Sequence, residues 1–360
     1  MSYLFPSAWN IYTKHHAPFM HELYKDIKKR KPYLGLKILH NMPIMISDLL
    51  KIDCLVMSGA NVTVTIPKFA KSDPKAIKLV KNSKVLYIPQ HNFSESYDIL
   101  LDCCGELGES TKPNIGAIEI TQTGANKYRH MQIDYPVISI DDSKLKYLED
   151  SIGSADGLMR AIKKVIKDDL NNKKYIVFGF GKVGIGIARE LKKISNNVTV
   201  IDKNSLVLNY AKRLGYQTII SSDKDKINKF VKDAFCIITA TGDKGFISRE
   251  LNSNQFKNKH LVNIGAEDEF GEKFKSNEVY NEKMPINFIL KEPTKIEYLD
   301  PAYYAHNTSI DLILNNNFSH KVHPLPSIID NNILNKWFKF HNKNIEDFFA
   351  EFQQYYSLIT

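Results

Sequence analysis

The stretch Tyr175-Ile-Val-Phe-Gly-Phe-Gly-Lys-Val-Gly-Ile-Gly-Ile-Ala-Arg-Glu190 limits what this chain can fold into more than any other. Tyr175 to Phe178 is a short, apolar, β-rich run of the kind that forms a buried parallel strand. It breaks into Gly179-Phe-Gly181-Lys182-Val183-Gly184, a full G-x-G-x-x-G, after which Val183, Ile187, Ala188 and Leu191 recur at helical spacing. The first glycine permits a tight turn, and the second lets backbone approach a pyrophosphate. The third lets helix and strand pack closely, while the helix N-terminus offers free N–H groups to phosphates. A second strand, Asn197 to Ile201, ends in Asp202, placed to accept hydrogen bonds from ribose hydroxyls. A carboxylate there repels a 2′-phosphate, so NAD is expected rather than NADP, and Lys203 next door weakens that preference only slightly.

With 360 residues and 43% hydrophobic content, the chain is long enough for two cores. Its charge of +9 is scattered, and the densest basic run, Lys25 to Lys31, is short and holds Asp26. That pattern describes a solvated helix face, and no nucleic-acid partner is expected. Cys54, Cys103, Cys104 and Cys236 all fall in apolar segments, as reduced core thiols do. No apolar span reaches the ~18 residues of a membrane helix, and the N-terminus lacks a signal-peptide core. A soluble, cytoplasmic protein without a membrane partner is expected.

Strands alternate with helices along the chain. Strand candidates are Lys37 to Leu39, Asn61 to Ile66, Lys84 to Pro89, Tyr97 to Cys103 and Pro136 to Ile140 in the first part. Tyr175 to Phe178, Asn197 to Ile201, Phe235 to Ile238, His260 to Ile264 and Ile286 to Leu290 follow in the second. Pro43 to Met57 reads as a helix, and Ser151 to Leu170 as a long connecting one. The alternation indicates an α/β fold of two doubly wound domains, a Rossmann NAD-binding domain inserted into an α/β substrate domain. The boundaries read as 1–150 for the substrate domain, 151–305 for the cofactor domain, and 306–360 for an aromatic, helical return onto the first. In parallel sheets the loops after strand ends line the ligand crevice, so Thr239-Ala240-Thr241-Gly242 and Asn263-Ile-Gly265 are expected to face the cofactor.

This order, with Leu101-Asp-Cys-Cys-Gly-Glu106, Glu119-Ile-Thr-Gln-Thr-Gly124, Ile140-Asp-Asp-Ser143 with Lys146, Gly179 to Gly184, Thr239 to Gly242 and Asn263 to Gly265, resembles S-adenosylhomocysteine hydrolase (adenosylhomocysteinase). The likeness covers roughly residues 35 to 315 in outline and is most specific in the cofactor domain. The resemblance implies a tightly held NAD that oxidises a ribose 3′-hydroxyl and acidifies the neighbouring C–H before elimination, water addition and reduction. It implies NAD contacts at Gly179, Gly181, Gly184, Asp202, Asn204, Thr241, Asn263 and Gly265, with Thr121 and Thr123 contributed by the first domain. It also implies a small-molecule substrate and a homo-oligomer, dimer or tetramer. The substrate side departs from the family pattern. Pro43 and Ala266 stand where the family has histidines, Cys103 and Ile120 replace acids, and Tyr355 to Thr360 lacks the family's closing Lys/Tyr tail.

Lys146 matches the family's acid/base lysine, with Lys144 competing for the position; Glu149 and Asp150 either orient it or belong to a charged surface. Asp102 is the remaining acid of its pair. His306, within Asp300-Pro-Ala-Tyr-Tyr-Ala-His-Asn307, is either a general base replacing a lost histidine or a hydrogen-bonded structural residue. Cys103-Cys104 reads as a redox pair or as buried thiols. His320 and His323 have no acidic or cysteine partners at ligand spacing, so no metal site is expected. Two functions follow from these residues. One is an NAD-dependent enzyme transferring hydride at a hydroxyl or amino carbon of an altered substrate, with no detectable hydrolysis of S-adenosylhomocysteine. The other is an inactive relative that binds NAD in a regulatory or sensing role.

Overall fold

A computed structural model describes residues 3–68 and 71–343. The expected tail at Tyr355 to Thr360 and the aromatic positions beyond Lys343 lie outside the described residues. The chain divides into two compact units. The first takes the residues up to Lys146 together with Lys295–His341, and the second takes Tyr147–Thr294.

Strands are numbered along the chain. The first unit holds β1 (Lys37–Asn41), β2 (Asn61–Thr65), β3 (Leu86–Tyr87), β4 (Tyr97–Asp102), β5 (Pro113–Glu119), β6 (Val137–Ser139) and β12 (Val322–Pro324). The second holds β7 (Tyr175–Phe178), β8 (Val198–Asp202), β9 (Gln217–Ile220), β10 (Cys236–Thr239) and β11 (His260–Asn263). Every pairing is parallel. The sheet orders are β12-β6-β5-β4-β1-β2-β3 and β11-β10-β7-β8-β9. Each sheet winds outward in both directions from one central strand, and order reverses between β1 and β4 and between β7 and β10. Those two reversals are where an open parallel sheet leaves a ligand crevice at its C-terminal edge.

The strands of the second unit are apolar at consecutive positions because both faces are buried. Tyr175, Val177, Val198, Val200, Cys236 and Ile238 enter one core. Ile176, Phe178, Ile201, Ile219 and Ile237 enter the other. In the first unit Leu39, Leu100, Ala117 and Val137 pack with Tyr128 of the helix Gln122–His130. All four cysteines are free and buried. Among the described residues no helix is long and apolar enough to cross a membrane.

Several elements differ from the sequence expectation. Ile286 to Leu290 is a single 3-10 turn, Ile286–Ile289, entered through Pro285; a four-residue apolar run does not distinguish strand from buried turn. The strand expected over Lys84 to Pro89 shrinks to the sheet edge Leu86–Tyr87. The connecting helix is a π-helical turn, Leu148–Gly153, followed by an α-helix, Ser154–Val165. The π turn brings the Ser151 carbonyl so near the helix Lys182–Lys192 that a Cβ on Gly186 would lie 1.8 Å from it.

The return segment begins earlier than His306, as the helix Ile296–Asn315, with Pro301 inside it. Proline has no N–H to give the carbonyl four residues back, and that carbonyl, on Glu297, accepts the Trp337 indole N–H at 2.7 Å instead. Next to it, the fully buried Asp300 carboxylate accepts the N–H groups of Phe19 (2.7 Å) and Met20 (2.9 Å). It thereby caps the helix Pro18–Arg30, whose own preceding residue, Ala17, supplies no side-chain cap. Asp300→Ala removes both acceptors and is expected to lower stability to urea by about 1–3 kcal/mol, with Asp300→Asn losing less.

Candidate cofactor and substrate sites

In the second unit, Gly179 turns the chain out of β7 with φ +89°, and a Cβ there would lie 2.2 Å from the Ala240 carbonyl oxygen. A Cβ on Gly184 would lie 2.0 Å from the Gly179 carbonyl oxygen, which fixes how closely the helix Lys182–Lys192 meets β7. Gly181 occupies the N-cap of that helix and gives its first turn no side-chain cap. Asp202, half-buried at the end of β8, accepts Phe180 N–H at 2.7 Å and Asn204 N–H at 2.8 Å, one on each oxygen. A carboxylate has roughly four acceptor positions, so each oxygen retains capacity for a ribose hydroxyl. Uncapped helix terminus, glycine cradle and strand-end acid together fit a dinucleotide.

The other expected cofactor residues form a tied frame. Lys182 is buried with its ammonium 3.5 Å from Asp150. Val183 is half-buried, and Lys203 is exposed. Asn204 caps the helix Ser205–Arg213 through Leu206 and Val207 N–H. The Thr239 hydroxyl donates to Asn263 Oδ1 at 3.0 Å, and the Asn263 amide donates to the carbonyls of Gly265, Glu267 and Lys283. Beneath Ala240, Thr241 and Gly242 lies a residue that sequence reasoning missed. Glu269, fully buried, accepts Thr241 N–H and hydroxyl at 2.8 Å each and Gly242 N–H at 2.7 Å. Burial pushes its carboxyl up to about 7. A Cβ on Gly265 would lie 2.0 Å from Glu269 Oε1, so this glycine leaves room for the carboxylate.

In the first unit the expected trio of Lys146, His306 and Asp102 separates. Side chains alternate across a strand, and Asp102 shares the face of Leu100, where the Tyr128 hydroxyl donates to it at 2.7 Å. Its two oxygens accept five hydrogen bonds in all, from Tyr128, the Asn41 amide and the N–H groups of Cys103, Leu107 and Gly108. Asp102 thus anchors the β4 turn, on the face opposite His40 and His306. Glu119 behaves alike, accepting Gly105, Cys104 and Thr121 N–H together with the Thr121 hydroxyl. Thr121 also caps the helix Gln122–His130, and Thr123 lies half-buried in its first turn.

His306 and Lys146 lie in the same unit. Both are buried, and the lysine's charge helps hold the His306 imidazolium well below its ordinary pKa, after burial itself and Lys51. The neighbouring Lys144 instead reaches Asn331 with its ammonium. His306 Nε2 lies 3.0 Å from the Ile118 carbonyl; an acceptor there requires a proton on Nε2, which leaves the Nδ1 lone pair open. Around it lie His40 near the end of β1, which the sequence shows close to the position of a lost family histidine but out of register, and Lys51 in the helix Asp48–Met57, which the sequence reading did not place in the site. Burial, Lys51 and His306 depress His40.

Lys51 is held down to about 7, chiefly by burial. An unfolded chain keeps that amine protonated to about pH 10.5, whereas the folded chain releases the proton above about 7. The resulting penalty is therefore largest at and below neutral pH and disappears as pH rises toward 10.5. Lys51→Met is expected to raise stability by about 2–4 kcal/mol at pH 7, with the gain shrinking by pH 10. Urea unfolding of both forms across that range checks it, and an equal gain at both ends would contradict it.

The family model of the TrkA-N domain, an NAD-binding domain, matches residues 175–251. The chain is 22% identical to an adenosylhomocysteinase of Thermoplasma acidophilum, over 90% of each chain. It is 25% identical to an S-inosyl-L-homocysteine hydrolase of Methanopyrus kandleri, over 71% of this chain and 65% of that one. Among solved structures, a dipicolinate synthase chain from Bacillus halodurans matches 78% of this chain and 99% of its own at 15% identity, with a TM-score of 0.44. Over most of its length the chain is similar to adenosylhomocysteinases at low identity, and NAD is the cofactor of its second unit.

Proposed function

We propose that the protein is an NAD-dependent oxidoreductase acting at a hydroxyl-bearing carbon of a small molecule other than S-adenosylhomocysteine. The observation that carries this reading is the buried His306 of the first unit, whose tautomer is fixed by the Ile118 carbonyl and whose ring feels the charge of the buried Lys146. An imidazole that donates through Nε2 and is held neutral by burial presents Nδ1 as a proton acceptor throughout the neutral range. It is suited to take the proton of a substrate hydroxyl. Lys146 is suited to hold the resulting oxygen or to exchange a proton with the adjacent carbon. Bound NAD supplies the hydride acceptor. Asp202 orients the adenosine ribose, the uncapped helix after Gly181 receives the pyrophosphate, and Glu269 keeps the Thr239–Gly242 loop in place beside β7.

Departures from the resembled pattern at Pro43, Ala266, Cys103 and Ile120 support a changed substrate. Incubation with S-adenosylhomocysteine and saturating NAD is expected to release no thiol, whereas a true substrate raises the reduced-nicotinamide absorbance. Lys146→Met is expected to lower kcat on that substrate by about 10²–10⁴-fold and leave NAD affinity unchanged. Thiol release near one turnover per second, an ordinary enzymatic rate, would contradict the reading. Failure to raise the nicotinamide band with any hydroxy compound would favour the inactive, NAD-binding alternative.

In the cofactor site, Asp202→Ala is expected to weaken NAD by about 1–3 kcal/mol and to narrow its advantage over NADP. Calorimetry of both dinucleotides against both forms measures this, and a wild-type preference for NADP would contradict it.

A further inference from the structure

Three basic side chains of the first unit, Lys51, His40 and His306, are each 0% exposed. The Lys51 amine, both ring nitrogens of His40 and Nδ1 of His306 have no hydrogen-bond partner. They come from three different elements, the helix Asp48–Met57, the end of β1 and the helix Ile296–Asn315. Each histidine nevertheless feels the charge of Lys51, and His40 feels that of His306. Buried polar atoms are nearly always hydrogen-bonded, so a group of unmatched basic atoms at one place is unusual.

The position is also significant. His40 ends β1, and Lys51 feels Cys103, the residue directly after β4. These are the two strands at which the order of the seven-stranded sheet reverses. Among the described residues the Asp48 carboxylate acts on Lys51 and offsets its burial only in part, and no hydrogen bond joins the two. Asp48, one turn from Lys51, has its Oδ1 bonded by the Tyr303 hydroxyl at 2.7 Å and its Oδ2 by Met45 N–H at 3.0 Å and the Ser47 hydroxyl at 3.4 Å. Asp102 and Glu119 are engaged by turn N–H groups, as described above.

We propose that this group is the recognition site for a carboxylate of the substrate, with Lys51 as its ion-pair partner. The inference rests on the reading of the first unit as the substrate-binding one, and it names the substrate class as anionic. A buried cation is stable when an anion and good hydrogen bonds accompany it; the ligand carboxylate accepts from the Lys51 ammonium and from a His40 ring N–H, and leaves the His306 Nδ1 lone pair to the substrate hydroxyl. Lys51 then takes up a proton as the anion enters, because the nearby negative charge favours the ammonium. The groups facing Lys51 are Asp48 and Cys54 on its own helix, Cys103 after β4, His40 on β1 and His306 on the long helix.

The test uses the full chain saturated with NAD, and formate as the probe, with chloride at equal ionic strength as the control. Calorimetry at pH 8 in two buffers of different ionisation enthalpy is expected to show saturable formate binding with uptake of about one proton. Lys51→Met is expected to weaken formate at least tenfold and to abolish the proton uptake; Lys51→Gln serves as a second variant should methionine repack the site. Absence of saturable formate binding, an unchanged affinity in both variants, or stronger binding of inorganic phosphate would overturn the carboxylate assignment. This readout needs no turnover. Formate binding without hydride transfer on any substrate would remove the enzymatic reading and leave the anion site. Turnover on an uncharged alcohol without formate binding would do the reverse.

Discussion

A parallel sheet delivers the C-terminal ends of all its strands to one edge, and both units depend on that constraint. Along the strands, side chains on both faces are buried and mostly apolar, and the buried charged residues gather toward the strand ends. At the edge the chain must turn, and its N–H and C=O groups need partners that the ladder no longer supplies. Where the strand order reverses, neighbouring connections diverge to opposite faces and leave a crevice. The glycine turn after β7 and the Thr239–Gly242 loop after β10 occupy that place in the second sheet. His40 at the end of β1 and the Asp102–Cys103 turn after β4 occupy it in the first.

Two opposite solutions to burying charge appear at these edges. Glu269, Asp102, Glu119, Asp300 and Asp330 each accept at least two backbone N–H groups, so every one of these acids ties a turn or a helix start. Hydrogen bonds to a charged acceptor contribute about 1.5–3 kcal/mol each, enough to offset part of the desolvation that raises these carboxyl pKa values. Lys51 and His40 receive no such hydrogen bonds, and His306 has only the one to the Ile118 carbonyl. A lysine amine held near pH 7 lowers stability, and a chain selected for stability alone would place a methionine or leucine there. The acids tie the scaffold, and recognition and proton transfer are the roles we propose for the bases.

Legibility in the sequence followed the range of the interactions involved. The β7–helix–β8 segment was readable because its evidence is local: glycine spacing, an apolar run and an acid at a strand end, all within thirty residues of one another. Lys51 gave little signal, since a lysine within Leu49-Leu-Lys-Ile52 reads as the solvent side of a helix, and only packing of nine of the ten residues of that helix reveals otherwise. Glu269 was hidden in the acidic run Glu267-Asp-Glu269, which resembles a solvated loop. The hydrogen bonds that hold Asp102 were not legible, because they come from Asn41 and Tyr128, far away in sequence. The Ile286 run was too short to separate strand from turn. The tautomer of His306 depends on the Ile118 carbonyl, a contact spanning 188 residues.

The most direct test of the central claim, an NAD site built on the glycine turn of the second unit, is a crystal structure of the protein grown with NAD. The predicted result places the pyrophosphate against the N–H groups that follow Gly181, with the adenosine ribose hydroxyls bonded to Asp202. A dinucleotide bound elsewhere, or a ribose turned away from Asp202, would contradict it.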